Sequence, residues 1–223
     1  MSVRTLSIAG AKVHVFPEAA PASQFAAQTL VSTIKEAVAS RGHAVLGLAT
    51  GKTPIAIYQE LVKLYQSKYV SFEDVSTYNL DEYYPMSPVD EQSYRYFMNQ
   101  HLFQHVNIAT NRAHLFDGTV PEAFAAEHAT AFDGWIAAEG GLDIQLLGIG
   151  RNGHIGFNEP SELSTDDALK LSSRIMHLHS ITTADAAADF GNASLVPHRA
   201  LTMGIAQIVS ARSILICAFG AKK

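Results

Sequence analysis

The chain has 223 residues, 48% of them hydrophobic and 17% charged, which is enough for one sizeable core and short for two, so a single catalytic domain over 1–223 is expected. Its formal net charge of -5 is spread along the sequence without a basic segment, which argues against nucleic acid as a partner. No apolar run approaches the roughly 20 residues that cross a bilayer, and Met1-Ser2-Val3-Arg4 leads into no signal-type stretch, so a cytoplasmic protein with no membrane partner is expected.

Taken in chain order, residues 12–16 form the first short β-branched run. Residues 20–41 follow with apolar positions at helical spacing, Phe25, Leu30, Ile34 and Val38 forming a stripe. Strands are predicted at 44–49 and 75–80 with a helix at 54–65 between them, then helices at 93–105 and 121–139. Further strands are predicted at 144–149, 174–179 and 213–219. Several of these runs are apolar on both faces, as in parallel strands covered by helices on either side, and strands alternating with helices predict a three-layer α/β sandwich with a mostly parallel sheet. Residues 163–168, with Ser164, Thr165, Asp166 and Asp167, read as an exposed loop and a candidate lid segment. Cys217, the lone cysteine, lies in an apolar run and reads as a small buried hydrophobe. The chain stops at Gly220-Ala221-Lys222-Lys223 directly after a strongly apolar strand, and a truncation at that end is expected.

Ligands of open α/β sheets bind beyond the carboxyl ends of the strands, and three polar segments follow predicted strands here. In Leu48-Ala49-Thr50-Gly51-Lys52-Thr53-Pro54, Pro54 suits a first helical turn and Thr53 an N-cap. Free amides, two threonine hydroxyls and a close-approach glycine make an anion cradle, or simply a capped turn. A nucleotide P-loop is excluded because its first glycine would fall at Leu46. In Thr77-Tyr78-Asn79-Leu80-Asp81-Glu82-Tyr83, two carboxylates at a strand end provide either a proton-transferring base or plain turn residues. The third segment, Gly148-Ile149-Gly150-Arg151-Asn152-Gly153-His154-Ile155-Gly156-Phe157-Asn158-Glu159-Pro160, contains GxGxxG, but the long helix a dinucleotide fingerprint requires is interrupted by Pro160. It reads as a loop presenting Asn152, His154 and Glu159. The other histidines form no metal-ligand pattern, and no metal or other cofactor is expected.

These three segments, in this order and spacing, resemble the glucosamine-6-phosphate deaminase family, together with Glu91-Gln92-Ser93-Tyr94, the stretch Val196-Pro197-His198-Arg199-Ala200-Leu201-Thr202-Met203-Gly204 and the Gly220-x-x-Lys223 ending. The resemblance runs from about 45 to 223 and implies a Rossmann-like αβα sandwich of the sugar-phosphate isomerase/CoA-transferase-like kind. It implies a metal-free aldose–ketose isomerisation of an amino-sugar phosphate that ends in loss of ammonia, with relatives ranging from monomers to homo-oligomers. Carried over residue by residue, Asp81 is the base at C2, His154 opens the sugar ring, and Glu159 orients and charge-supports His154. Asn152 stands where many members have aspartate. Thr50, Gly51, Lys52, Thr53, Glu82, Gly150 and Lys223 are the expected substrate and phosphate contacts. A 6-phosphogluconolactonase-like hydrolase, an isomerase of another hexose derivative and a catalytically reduced sugar-phosphate binding protein are the alternatives.

One departure bears on the phosphate. The family places an arginine upstream of the Val-Pro motif, whereas the corresponding Ala184-Asp185-Ala186-Ala187-Ala188-Asp189-Phe190-Gly191 has none. Losing a bidentate guanidinium is not a conservative change. Lys52, where relatives carry a small residue, either supplies the replacement charge or simply points to solvent.

Overall fold

The structure is a computed structural model and describes residues 3–220. Lys223, expected at the phosphate, lies outside the described residues. An antiparallel hairpin opens the chain, β1 (Arg4–Ile8) with β2 (Ala11–Val15). There follow α1 (Ala19–Arg41), β3 (Ala44–Leu48), α2 (Lys52–Gln66), β4 (Val75–Asn79), β5 (Asp81–Tyr84), α3 (Tyr94–His101), β6 (Ala113–His114) and α4 (Glu122–Ala138). The rest comprises β7 (Ile144–Leu147), α5 (Thr165–Ala168), β8 (Arg174–His177), α6 (Ser180–Phe190), β9 (Arg199–Thr202), α7 (Ile205–Val209) and β10 (Ile214–Ile216).

Five strands form one parallel sheet in the order β10-β7-β3-β4-β6. Side chains alternate across a strand, and β3 shows the consequence. Ala44, Leu46 and Leu48 pack into a core with α1 and α2, while Val45 and the following Ala49 pack into a second core with α4. The sheet is thus covered on both faces, as a three-layer αβα sandwich requires. Helix α1 buries Ala27, Leu30, Ile34 and Ala37 against it. It ends at Gly42, whose left-handed φ of 81° lets its N–H return to the Val38 carbonyl.

Two expected strands sit elsewhere. Residues 12–16 fall in the hairpin, apart from the parallel sheet, where Phe25 leaves the α1 core face and meets the rings of His14 and Phe16. Residues 174–179 begin as β8 in a separate antiparallel sheet, β5-β9-β8. Short apolar strands look alike in sequence, and pairing partners alone decide the sheet. The expected loop at 163–168 contains the exposed turn of helix α5, where Ser164 caps by accepting from Asp167 N. The expected cap of α2 also shifts: the helix already begins at Lys52, so Gly51 occupies the cap position and Thr53 the second helical position. No side chain caps that start. Among the described residues no helix is long and apolar enough to cross a membrane.

Candidate active site

The carboxyl ends of β3, β4 and β7 lie side by side, because these strands are parallel and adjacent. The segments that leave them converge on a cavity of about 200 Å³. Its lining includes Thr50, Gly51, Lys52 and Thr53 from the first segment, Asp81 from the second, and Gly150 and His154 from the third. The cavity also takes in Tyr94, Leu80, Gly156 and Phe157.

The first wall is the β3–α2 turn. Gly51 has φ 92° and ψ -171°, a conformation that disfavours any side chain. The buried Tyr58 donates its hydroxyl to the Ala49 carbonyl and so holds the strand end against α2. With no side chain at the cap, the first amides of α2 keep their capacity for an anion.

Asp81 opens β5, just after β4. Leu80 bonds to the Leu48 carbonyl through its N–H (3.0 Å) and accepts from Met203 N (2.6 Å), so the turn is pinned on both sides. Burial pushes the Asp81 carboxyl well above the ordinary carboxylate range, and the neighbouring Glu82 charge adds to the shift. Among the described residues no hydrogen bond compensates the carboxyl for that burial. Gly156, at φ 59°, stands beside it: an added Cβ would lie 3.4 Å from Asp81 Oδ2 and 3.1 Å from Thr202 Oγ1.

Glu82, expected as a substrate contact, is not among the cavity residues. A strand turns successive side chains to opposite faces, and Glu82 lies against the start of α3. Its Oε1 accepts from Tyr83 N (3.0 Å) and Tyr94 N (2.9 Å), and its Oε2 from Arg95 N (3.1 Å). Burial raises its pKa to about 7 even though these three amides oppose the shift. Glu82 therefore ties β5 to the helix that carries Tyr94.

Across the cavity, the loop after β7 folds back on itself through Gly153 N to the Gly150 carbonyl (3.0 Å) and Gly150 N to the His154 carbonyl (2.8 Å). Gly150 has to lack a side chain, since a Cβ there would fall 2.3 Å from His154 Cε1 and Nε2. Behind the imidazole runs a polar chain. His154 Nδ1 lies 2.7 Å from Asn152 Oδ1, and Asn152 Nδ2 donates to Glu159 Oε2 at 2.9 Å. With the Asn152 amide donating to the carboxylate, its oxygen accepts, so the Nδ1 position carries the proton and a neutral ring keeps its lone pair on Nε2. Glu159 Oε2 also stands 3.6 Å from Nδ1. Its Oε1 accepts from Thr182 Oγ1 (2.6 Å) and His179 N (3.1 Å). Burial alone would raise the Glu159 pKa, but these hydrogen bonds and the imidazole lower it on balance, so the carboxylate stays charged. Asn152 and Glu159 thus stand behind His154 instead of facing the cavity.

Tyr94 and Thr182 escaped the sequence reading. Tyr94 ends the Glu91-Gln92-Ser93-Tyr94 motif, but nothing in a lone tyrosine says that helix α3 turns it into the cavity. Thr182 lies on α6, for which no helix was predicted. Among the described residues no three His, Cys, Asp or Glu side chains are grouped to hold a metal ion.

A cavity at the carboxyl edge of a parallel sheet, lined by a buried carboxyl and an oriented imidazole, is the setting of an α/β enzyme of the proton-transferring kind. The chain belongs to the family of glucosamine-6-phosphate isomerases and 6-phosphogluconolactonases, whose family model matches residues 17–223. It is 42% identical over 199 residues to the glucosamine-6-phosphate deaminase of Pseudoalteromonas translucida, covering 88% of this chain and 71% of that one. With the deaminase of Bacillus velezensis it shares 44% identity over 192 residues, covering 86% of this chain and 77% of that one. The solved structure of a monomeric glucosamine-6-phosphate deaminase superposes with a TM-score of 0.81 at 39% identity, over 89% of this chain and 78% of that one. A 6-phosphogluconolactonase from Plasmodium vivax shares the fold at 18% identity and a TM-score of 0.72, over 95% of this chain and 78% of that one.

Proposed function

We propose that this chain converts glucosamine 6-phosphate to fructose 6-phosphate and ammonia. The observation that carries the reading is the placement of Asp81 and His154 on one cavity whose third wall is the uncapped start of α2. That cavity offers two proton-transfer groups and an anion-binding wall. The similarity near 40% to glucosamine-6-phosphate deaminases supports the same reaction.

The geometry supports the following chemistry. His154, its Nδ1 proton held by Asn152, presents Nε2 to take the C1 hydroxyl proton and pass it to the ring oxygen, which opens the pyranose. Glu159 stabilises the imidazolium formed in between. Asp81 then removes the C2 proton and returns one to C1 while a proton passes from the amine nitrogen to the C1 oxygen, which moves the double bond and leaves an imine at C2 beside a C1 hydroxyl. Water adds to that imine and ammonia departs, so no electrons enter or leave and one water is consumed. A raised carboxyl pKa suits this role, because a base works best when its pKa lies near the operating pH. Thr50, Thr53 and the first amides of α2 hold the phosphate, with Lys52 supplying charge at the rim.

The test is ammonia release from glucosamine 6-phosphate against unphosphorylated glucosamine. Release from the phosphate ester alone is expected. A protein that instead hydrolyses 6-phosphogluconolactone and yields no ammonia would overturn the proposal.

A further inference from the structure

Among the described residues lining the cavity, Lys52 is the single lysine or arginine, and its ammonium lies 3.3 Å from the Asp189 carboxylate. Asp189 belongs to the last turn of α6, which is tied to the site at two other points. Thr182 donates to Glu159 behind His154, and Asp185 pairs with Arg151 at 2.9 Å. Positions 182, 185 and 189 are three and four residues apart and share a helix face. One face of α6 therefore touches the support of His154, the loop before it and the start of α2.

The Lys52–Asp189 pair is solvent-exposed, with 82% and 54% of the two side chains accessible, so it is weak and exchangeable. A phosphate ester carries close to two negative charges and more acceptor oxygens than a carboxylate, which makes it the stronger partner for an ammonium. We propose that Asp189 is a built-in competitor of the substrate's phosphate for Lys52, a positioning residue that sets the affinity for the phosphorylated sugar. The inference rests on the reading of this cavity as a sugar-phosphate site. When phosphate takes Lys52, α6 stays tied through Thr182 and Asp185, so the displaced Asp189 carboxylate remains near the anion and repels it. The helix thus holds down affinity for phosphate without touching the reacting carbons.

The experiment compares the full chain with Asp189→Asn, Asp189→Glu, Lys52→Ala and the double variant Lys52→Ala/Asp189→Asn. Turnover of glucosamine 6-phosphate is followed at low and moderate salt, and glucose 6-phosphate binding is measured by calorimetry on the same proteins. Asp189→Asn is expected to lower KM by about two- to fivefold with kcat nearly unchanged, and to tighten glucose 6-phosphate binding equally. The effect should shrink with added salt, vanish in the Lys52→Ala background and be absent in Asp189→Glu. A merely structural α6 residue would instead raise KM and lower kcat. An unchanged or raised KM in Asp189→Asn, or an equal fall without Lys52, would overturn the inference. Tighter glucose 6-phosphate binding by Asp189→Asn, with no ammonia from any of these proteins, would uphold the competitor and overturn the proposed reaction. No sugar-phosphate binding at all would overturn both.

Discussion

The two sides of strand β5 place adjacent carboxylates in opposite circumstances. Asp81 faces the cavity, buried and without a compensating hydrogen bond among the described residues, and its pKa is driven up by burial. Glu82 faces α3, just as buried, with three backbone N–H groups on its oxygens. A buried polar group left unsatisfied costs stability, and one that is satisfied contributes it. The difference separates a buried carboxyl left without a hydrogen bond on the cavity from one tied into the architecture, one residue apart.

The most damaging way to probe this comparison is Asp81→Asn. It should lower turnover by about 10²–10⁴-fold while leaving the thermal midpoint unchanged or higher, since the substituted group was poorly satisfied. A full loss of folded protein would show instead that Asp81 is architectural. Next in size, Gly150→Ala moves the imidazole opposite, because the new Cβ would overlap the ring. A displacement near 1 Å at a reacting group costs about 100-fold in kcat, which steady-state kinetics would register without a change in the far-ultraviolet circular dichroism.

Glu82→Gln tests the other face. It removes an acceptor from the Arg95 amide and should cost about 1–3 kcal/mol in urea unfolding, with turnover persisting in the folded fraction. The sign with pH is fixed. The folded pKa of about 7 exceeds the ordinary value of 4.5, so the folded state binds the extra proton. The stability of the parent chain relative to Glu82→Gln should therefore be greatest below about 4.5 and fall as pH rises through about 7. A flat difference would mean that Glu82 is not raised. The smallest effect is on the pH profile. With Asp81 as the proposed base, charged when it acts, and its pKa raised, the acid limb of kcat/KM should lie above the ordinary carboxylate range. A limb near pH 4 would assign the base elsewhere.

Much of the site could be read from residue order. Thr50, Gly51, Asp81, Gly150 and His154 each follow a strand recognisable by its short run of β-branched and aliphatic residues, and parallel strands deliver their carboxyl ends to one edge. Strand β5 was not legible, because Asp81-Glu82-Tyr83-Tyr84 has the polarity of a turn. Pairing with β9, from Asp81 opposite Thr202 to Tyr84 opposite Arg199, is what extends it. That Glu82 lies off the cavity, against α3, was not legible for the same reason, since only a strand turns neighbouring side chains apart. Helix α6 was missed because Ile181-Thr182-Thr183-Ala184-Asp185-Ala186 lacks a strong apolar stripe. It is held through Thr182, Asp185, Asp189 and the contact of Phe190 with Tyr83 (5.1 Å between ring centres).

By itself the sequence determined the alternation of strands and helices, the family and the residue types that do proton chemistry, because these are written in local periodicity and short motifs. Tertiary structure alone decided which carboxylate faces the cavity, that Asn152 and Glu159 stand behind His154, and that Lys52 meets an aspartate 137 positions later in the chain. Those outcomes depend on pairing register and on contacts between segments far apart in sequence, and no local pattern encodes either.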